Sequence, residues 1–290
     1  MNINTSFSHR NQEPENNVLY MVGTPIGNLD DISLRVIKIL KNVSYIACED
    51  TRQTNKIMSK FKLRNQLISF NKHNAFKRIP KIINDLKAGK SIALVSDAGL
   101  PSICDPGEDL VKNAMDDGLS IICIPGPSAA LTALVASGMS ASRFVFEGFL
   151  PKKNVERKKI LFEISNNIKT TVLFESPQRL NKLLMELKEY CGGEREVHIS
   201  RELTKKFEEN IRASINTMIE HFKDKKILGE ITIVIEGIKN PPKNDIDRSD
   251  LKADLLDLMK AGLSLSAASK YLAKKNNLSK NLIYNIEKDN

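Results

Sequence analysis

The 290-residue chain has no tryptophan, four cysteines and four histidines, and aromatic residues make up only 6% of it. Cys48, Cys104, Cys123 and Cys191 lie far apart with no CxxC pair. That removes a zinc ribbon or a disulfide framework and makes a reducing cytoplasm the simplest expectation. His9, His73, His198 and His221 are equally scattered, so no metal-ligand spacing arises and no metal is expected. No G-x-G-x-x-G follows the first strand-like segment, and neither G-x-x-x-x-G-K-[ST] nor G-x-S-x-G occurs, so dinucleotide, P-loop and hydrolase-elbow chemistry lose their usual signatures. Long apolar runs are missing too. The one candidate, Ser120 to Met139, is broken by Pro125-Gly126-Pro127 and leaves too little length to span a bilayer. Residues 1–17 are polar without the apolar stretch of a signal peptide, and read as a disordered N-terminal segment.

What is present is a globular composition, with 41% hydrophobic and 27% charged residues in a length that suits two domains. The 44 Lys and Arg against 35 Asp and Glu leave a net charge of +9, compatible with an anionic partner such as RNA but not diagnostic of one. Short apolar runs alternate with helical patterns, which predicts an α/β chain. Val18–Val22 reads as the first strand, a helix is expected from Ser33 to Leu40, and Val43–Ala47 reads as the next strand. Ile79, Ile82, Ile83 and Leu86 have helical spacing with Gly89 placed as a C-cap glycine. Ile92–Val95, a helix over Glu108–Asp117 and a strand over Leu119–Ile124 complete βαβ-like units of an N-terminal domain spanning 18–150.

Residues 151–159 carry five positive charges and one negative, and are taken as a break. Beyond them Thr171–Phe174, a helix opened by Ser176-Pro177 with the stripe Leu180, Leu183, Leu184 and Leu187, and strands at Glu196–Ser200 and Ile231–Glu236 define a second α/β domain over 151–240. The stretch Asn240 to Asn244 reads as a linker. Residues 241–290 read as short helices: Leu251, Leu255 and Leu258 on one face, then Ala267, Ala268, Tyr271 and Leu272, then a segment from Ser279 with Leu282, Ile283 and Ile286. With six Lys and one Glu between Leu258 and Lys288, this is a basic, helix-turn-helix-like appendage.

Four strand ends run into loops of glycine, proline, serine and acids: residues 23–28, 96–107, 125–129 and 174–177. In open α/β sheets ligands bind at the carboxyl ends of strands, where glycine permits close approach and proline fixes loop shape. Any one of these loops is explained by strand termination; four at corresponding places point to a backbone-lined pocket.

These loops closely resemble the tetrapyrrole methylase family of S-adenosylmethionine-dependent enzymes. The stretches that carry the likeness are LYMVGTPIGNLDDIS at 19–33, ACEDTR at 47–52, VSDAGLP at 95–101 with DPG at 105–107, IPGPSAA at 124–130, FEGFLP at 146–151, FESP at 174–177 and RELT at 201–204. Within the family they resemble the branch that methylates 16S rRNA. Leu100 stands where the family usually has Thr and Cys104 where Ser is usual, changes that bear on affinity in a loop whose backbone makes most contacts. The resemblance implies a two-domain tetrapyrrole-methylase-like fold with S-adenosylmethionine in the cleft between the domains. By motif it implies cofactor contacts from Pro25, Ser96, Asp97, Ala98, Gly99, Ile103, Ser128, Ala129, Glu175 and Leu203. It further implies a homodimer and 2′-O-methylation of a cytidine ribose in the decoding region of 16S rRNA, with the assembled 30S subunit as partner. A tetrapyrrole-precursor methyltransferase and a non-catalytic RNA-binding assembly factor are the alternatives.

Methyl transfer to a ribose hydroxyl calls for a carboxylate as base or orienter and a cation for the developing oxyanion. Glu49, Asp50 and Arg52, dense and just beyond a strand end, are the catalytic candidates; a structural salt bridge is the competing account. Phosphate contacts are expected from Lys152, Lys153, Arg157, Lys158 and Lys159, and from Lys274 and Lys275 in the tail, where Lys270 and Lys280 and the aromatics Tyr271 and Tyr284 lie nearby. A solvated surface run explains the same lysines.

Overall fold

A computed structural model describes residues 13–239 and 248–276, with Ile283, Tyr284 and Ile286. The chain divides into two compact units, Met1–Gly237 and Ile238–Asn290.

The first half of the larger unit is doubly wound. Strand β1 (Val18–Val22) passes through a 3-10 turn into α1 (Leu34–Asn42), β2 (Tyr45–Cys48) and α2 (Thr51–Lys60). Then come β3 (Leu67–Ser69), α3 (Ala75–Lys87), β4 (Ile92–Val95), α4 (Glu108–Asp116) and β5 (Ser120–Ile124). The strands form an all-parallel sheet in the order β3-β2-β4-β1-β5. Parallel strands covered on both faces need apolar side chains in both directions, and β1 is buried at every position. Val18, Tyr20 and Val22 point into the layer holding α1 and α2, while Leu19 and Met21 join the layer of α3 and α4. The Ser33 hydroxyl accepts the Val36 N–H and starts α1. The stripe on α3 is buried, and Gly89 follows it at φ +94°, a conformation open to glycine.

The second half contains α5 (Ala129–Ala136), β6 (Phe144–Phe149), α6 (Asn154–Asn166), β7 (Thr170–Glu175) and α7 (Pro177–Cys191). It continues with β8 (Glu196–Arg201), β9 (Glu209–Ser214), α8 (Ile215–Phe222) and β10 (Ile231–Ile235). These strands form a mixed sheet ordered β6-β7-β10-β8-β9, with only β6 and β7 parallel. Helices α6, α7 and α8 bury one face around Leu161, Leu183 and Met218. On the other face Val172, Val234 and Leu203 pack with Ala133 and Leu134 of α5 and with Ile26 from the loop after β1. That shared cluster joins the two sheets.

Two expectations are corrected, those for residues 151–159 and 1–17. Residues 151–159 are not a break: from Asn154 they are the first turns of α6. The apolar run 120–139 splits into β5 and α5, and no helix among the described residues is long and apolar enough to cross a membrane. The disordered segment expected over 1–17 lies outside the described residues as far as residue 12, but Glu13 is buried and its carboxylate accepts from Arg35 Nε at 2.9 Å. In the smaller unit α9 (Arg248–Lys260) and α10 (Leu265–Asn276) bury Leu251, Leu255, Ala268 and Leu272 with Ile283 and Ile286. The linker at 240–244 and Ser279, Lys280 and Leu282 of the third tail segment lie outside the described residues.

The loops after β1 and β5 meet backbone to backbone. A Cβ on Gly126 would stand 2.7 Å from the carbonyl carbon and oxygen of Gly23, atoms that cannot swing aside. Gly126→Ala should therefore lower unfolding stability by about 2 kcal/mol, read as a lower urea midpoint at unchanged slope.

Candidate active site

Three loops of the parallel sheet lock together at its carboxyl edge. The N–H of Thr24 donates to the Gly99 carbonyl at 2.8 Å, and the Gly99 N–H donates back at 3.1 Å. Thr24 is fully buried, with its hydroxyl 3.3 Å from the Ser96 carbonyl. Farther along the same loop the N–H of Asn28 donates to the Thr204 hydroxyl at 2.9 Å, so one segment touches the loops after β4, β5 and β8.

Between these loops and the mixed sheet lies a cavity of about 450 Å³. Ile26, Glu49 and the segment from Asp97 to Asp105 form one wall, Ser128 and Ala129 the floor toward α5, and Phe149, Phe174, Glu175, Ser176, Pro177 and Gly229 to Thr232 the opposite wall. Five acids line it, Glu49, Asp97, Asp105, Glu175 and Glu230, and no Lys or Arg does among the described residues. Burial raises the carboxyl of Glu49, reinforced by the negative charges of Asp105 and Asp97. Burial also raises Asp97, opposed by the Asp50 N–H it accepts at 3.0 Å, and raises Asp105, opposed by the Ser96 hydroxyl. Glu175 is held differently. Its Oε1 accepts from the Ser176 N–H at 2.7 Å and pairs with Arg179 at 2.6 Å, while its buried Oε2 takes no hydrogen bond and lies 3.7 Å from Arg157. The site thus suits a ligand with a cationic centre and N–H or O–H donors; a phosphate would meet repulsion from every side.

Of the residues singled out from motifs, Asp97, Ala98, Gly99, Ile103, Ser128, Ala129 and Glu175 come together in the cavity wall, and Leu203 lines a small pocket adjoining it. Pro25 and Ser96 are buried behind the wall, where Ser96 donates its hydroxyl to the Ala98 carbonyl at 3.2 Å and so shapes the loop. Glu49 faces the cavity but Asp50 and Arg52 do not line it. They pair with each other at 2.7 Å, and Asp50 caps α2 by accepting the Arg52 N–H. Hydrogen bonding to Arg52 holds the Asp50 carboxyl below its ordinary range, so this pair is the salt bridge that competed with the catalytic account. Asp105, Phe149, Phe174 and Thr232 were not singled out; the first three stood in quoted motifs, whereas Thr232 lines the cavity from a strand position that carries no local signal.

Lys152, Lys153, Lys158 and Lys159 are exposed, with Lys159 3.9 Å from Glu163. Arg157 is not available to a phosphate: it is buried and donates twice to Glu186, at 2.9 and 2.7 Å. In the smaller unit Lys275 pairs with Asp254 at 3.4 Å, and the side chain of Lys274 is outside the described set.

Residues 18–219 match the family of Tetrapyrrole (Corrin/Porphyrin) Methylases, and the chain belongs to that family. It is similar to Ribosomal RNA small subunit methyltransferase I of Synechocystis sp., with 39% identity over 93% of this chain and 96% of that protein. To the protein of the same name from Thermotoga maritima it is 46% identical over 76% of this chain and 98% of the relative. In fold it is similar to diphthine synthase (TM-score 0.58, 14% identity, covering 76% of this chain and 90% of that one). It also resembles in fold the cobalamin biosynthetic enzyme cobalt precorrin-4 methyltransferase (TM-score 0.57, 15% identity, covering 76% and 95%).

Two outcomes follow from the charges. Arg157→Ala strands Glu175 and Glu186 without their buried cation and should cost about 4 kcal/mol of stability, whereas Lys158→Ala should change it by less than about 0.5 kcal/mol; urea titration reads both. For Asp105 the folded-state pKa lies above the unfolded one, so the native state binds the proton more tightly and stability is lost as pH rises through the raised value. Asp105→Asn, which removes the charge and keeps the side-chain shape, should raise Tm at pH 7. That gain should shrink as the pH falls toward 3.8, the ordinary Asp value. A gain that stays constant with pH would contradict the assignment.

Proposed function

We propose that this chain uses S-adenosylmethionine to methylate the 2′-oxygen of a cytidine ribose in the decoding region of 16S rRNA, acting on the assembled 30S subunit. The observation that carries the cofactor reading is the acid-lined cavity. A sulfonium and an ammonium fit a wall of carboxyl groups, and the Glu175 Oε2 without a hydrogen bond offers an acceptor to ribose hydroxyls or an adenine amine. The RNA acceptor rests on near full-length likeness to relatives named as rRNA small subunit methyltransferases.

When bound, S-adenosylmethionine supplies an electrophilic methyl group. Asp97, Ala98 and Gly99 hold the amino-acid end through backbone and carboxylate. Phe149 and Phe174, 5.5 Å apart by ring centroid, wall the other side and exclude water. Glu49 is the base. Burial raises its carboxyl, which makes it a better proton acceptor, and it would take the hydroxyl proton as the ribose oxygen bonds to the methyl carbon and the methyl–sulfur bond breaks, the sulfonium leaving as a neutral thioether. Asp50 and Arg52 serve as positioning residues, because the Asp50 N–H orients Asp97. The exposed lysines 152, 153, 158 and 159, with Lys275 of the smaller unit, add phosphate contacts. The assembly in this reading is a cytoplasmic homodimer. Leu131 and Val135, exposed on α5, which is apolar but for Thr132, support a self-association face.

Transfer of tritium from labelled S-adenosylmethionine to 30S subunits lacking the modification, followed by nuclease mapping, tests this. Label should be recovered as a 2′-O-methylated cytidine, and Glu49→Gln should lower kcat by about 100-fold or more while leaving cofactor affinity within about twofold. Cofactor binding with no labelled RNA would overturn the acceptor. A tetrapyrrole precursor or a non-catalytic assembly role would then take its place.

A further inference from the structure

The parallel sheet places the ends of β2 and β3 side by side, with Cys48 in register with Ser69 and the Phe70 N–H donating to the Cys48 carbonyl at 2.7 Å. From these ends two loops leave together. One carries Glu49 into the cavity wall. The other is the turn Asn71–Asn74 into α3. This second turn is rigid: the Asn71 carboxamide oxygen accepts the N–H groups of His73 and Asn74, and the Asn74 carboxamide reaches back to Ser69. It projects Lys72 across the mouth of the cavity, where Nζ donates to the Cys104 carbonyl at 3.1 Å. Lys72 is close enough to oppose the burial that raises Glu49 and Asp105.

On the first turn of α3, four residues after Lys72, stands Phe76, which is 90% exposed. Lys77 is exposed beside it, and Arg52, paired with Asp50, is exposed on the first turn of α2, which starts from the adjacent strand β2. The interior of the cavity is acidic and its β2–β3 rim is basic with an uncovered ring. Phe76 is the most exposed of the large hydrophobic side chains among the described residues, and it is an aromatic ring set beside cations.

We infer that the β3–α3 turn is the platform on which the single-stranded acceptor RNA docks, with Lys72 holding a backbone phosphate at the cavity mouth and Phe76 stacking on a neighbouring base. An ammonium has three N–H donors, and one bond to Cys104 leaves two for phosphate oxygens. Stacking on an exposed ring accepts any base, and phosphate contacts set register rather than sequence. The chemistry matches a polyanion with π faces. The inference rests on the RNA-methyltransferase reading and names the surface by which that acceptor is held.

The test separates binding from transfer. Wild type, Lys72→Ala, Phe76→Ala and, as a charge control on the exposed face of α7, Lys188→Ala are compared by cosedimentation with 30S subunits, by S-adenosylmethionine titration and by thermal melting. Lys72→Ala and Phe76→Ala should each weaken 30S binding about tenfold, with cofactor affinity, melting temperature and the Lys188→Ala variant unchanged. Lys72→Ala should also reduce the slope of log K against log salt by about 1. Unaltered 30S binding in both variants overturns the platform, as does a loss confined to cofactor affinity, which would make Lys72 part of the cofactor wall. If wild type binds 30S subunits, the variants do not, and no methyl group is transferred, the platform stands and the methylation reading falls.

Discussion

The contact between the backbones of Gly23 and Gly126 is the constraint on which the site depends. With any side chain at either position the loops after β1 and β5 stand apart, because the atoms a Cβ would strike are backbone. Their approach brings Thr24 against Gly99 and aims the loop after β4 across the sheet edge. The same segment continues to Asn28, whose N–H meets Thr204 from the mixed sheet. Two sheets of unlike topology are therefore held at one spacing by the backbone of a six-residue loop, and the cavity is the space that this spacing leaves.

Charge is then sorted by depth. A chain with net charge +9 places five acids in its cavity wall and its lysines outside. The acids are costly there, since burial disfavours their ionised forms. Three have a local offset: the Asp50 N–H for Asp97, the Ser96 hydroxyl for Asp105, and Arg179 with Arg157 for Glu175. The offsets are partial. The Glu175 oxygen without a hydrogen bond and the raised Glu49 carboxyl leave the wall short of positive partners.

How much of this was legible in the sequence depended on whether the determining neighbour was near in the chain. The strands Val18–Val22 and Ile92–Val95 match their expected bounds, because a buried parallel strand announces itself by composition. The stripe Ile79 to Leu86 was legible by its period, and the cavity loops by their glycines. Helix α5 was not, since AALTALVA is apolar except for one threonine and has no period to read. Arg157 looked like one cation in a basic run, and only the helix geometry of α6 shows that it turns inward to Glu186 while its neighbours turn outward. The reach of Lys72 to Cys104 depends on β3 lying at the edge beside β2, a pairing no local pattern encodes. Motifs identified the wall residues; which of Glu49, Asp50 and Arg52 face the cavity was set by the cap of α2.

The loop that joins the sheets has a kinetic meaning. The hydrogen bond from Asn28 to Thr204 spans 176 positions in the chain, and the bridge from Thr24 to Gly99 spans 75. Contacts of such separation form only once the closure entropy of long segments has been met, and the cavity needs both sheets and both contacts. Partially folded forms with either sheet complete lack it. A small molecule that binds there selects only the fully assembled unit, and each increment of its binding energy shifts the balance against every intermediate at once. Occupancy of the site is then also a report that synthesis and folding of residues 18–235 have finished.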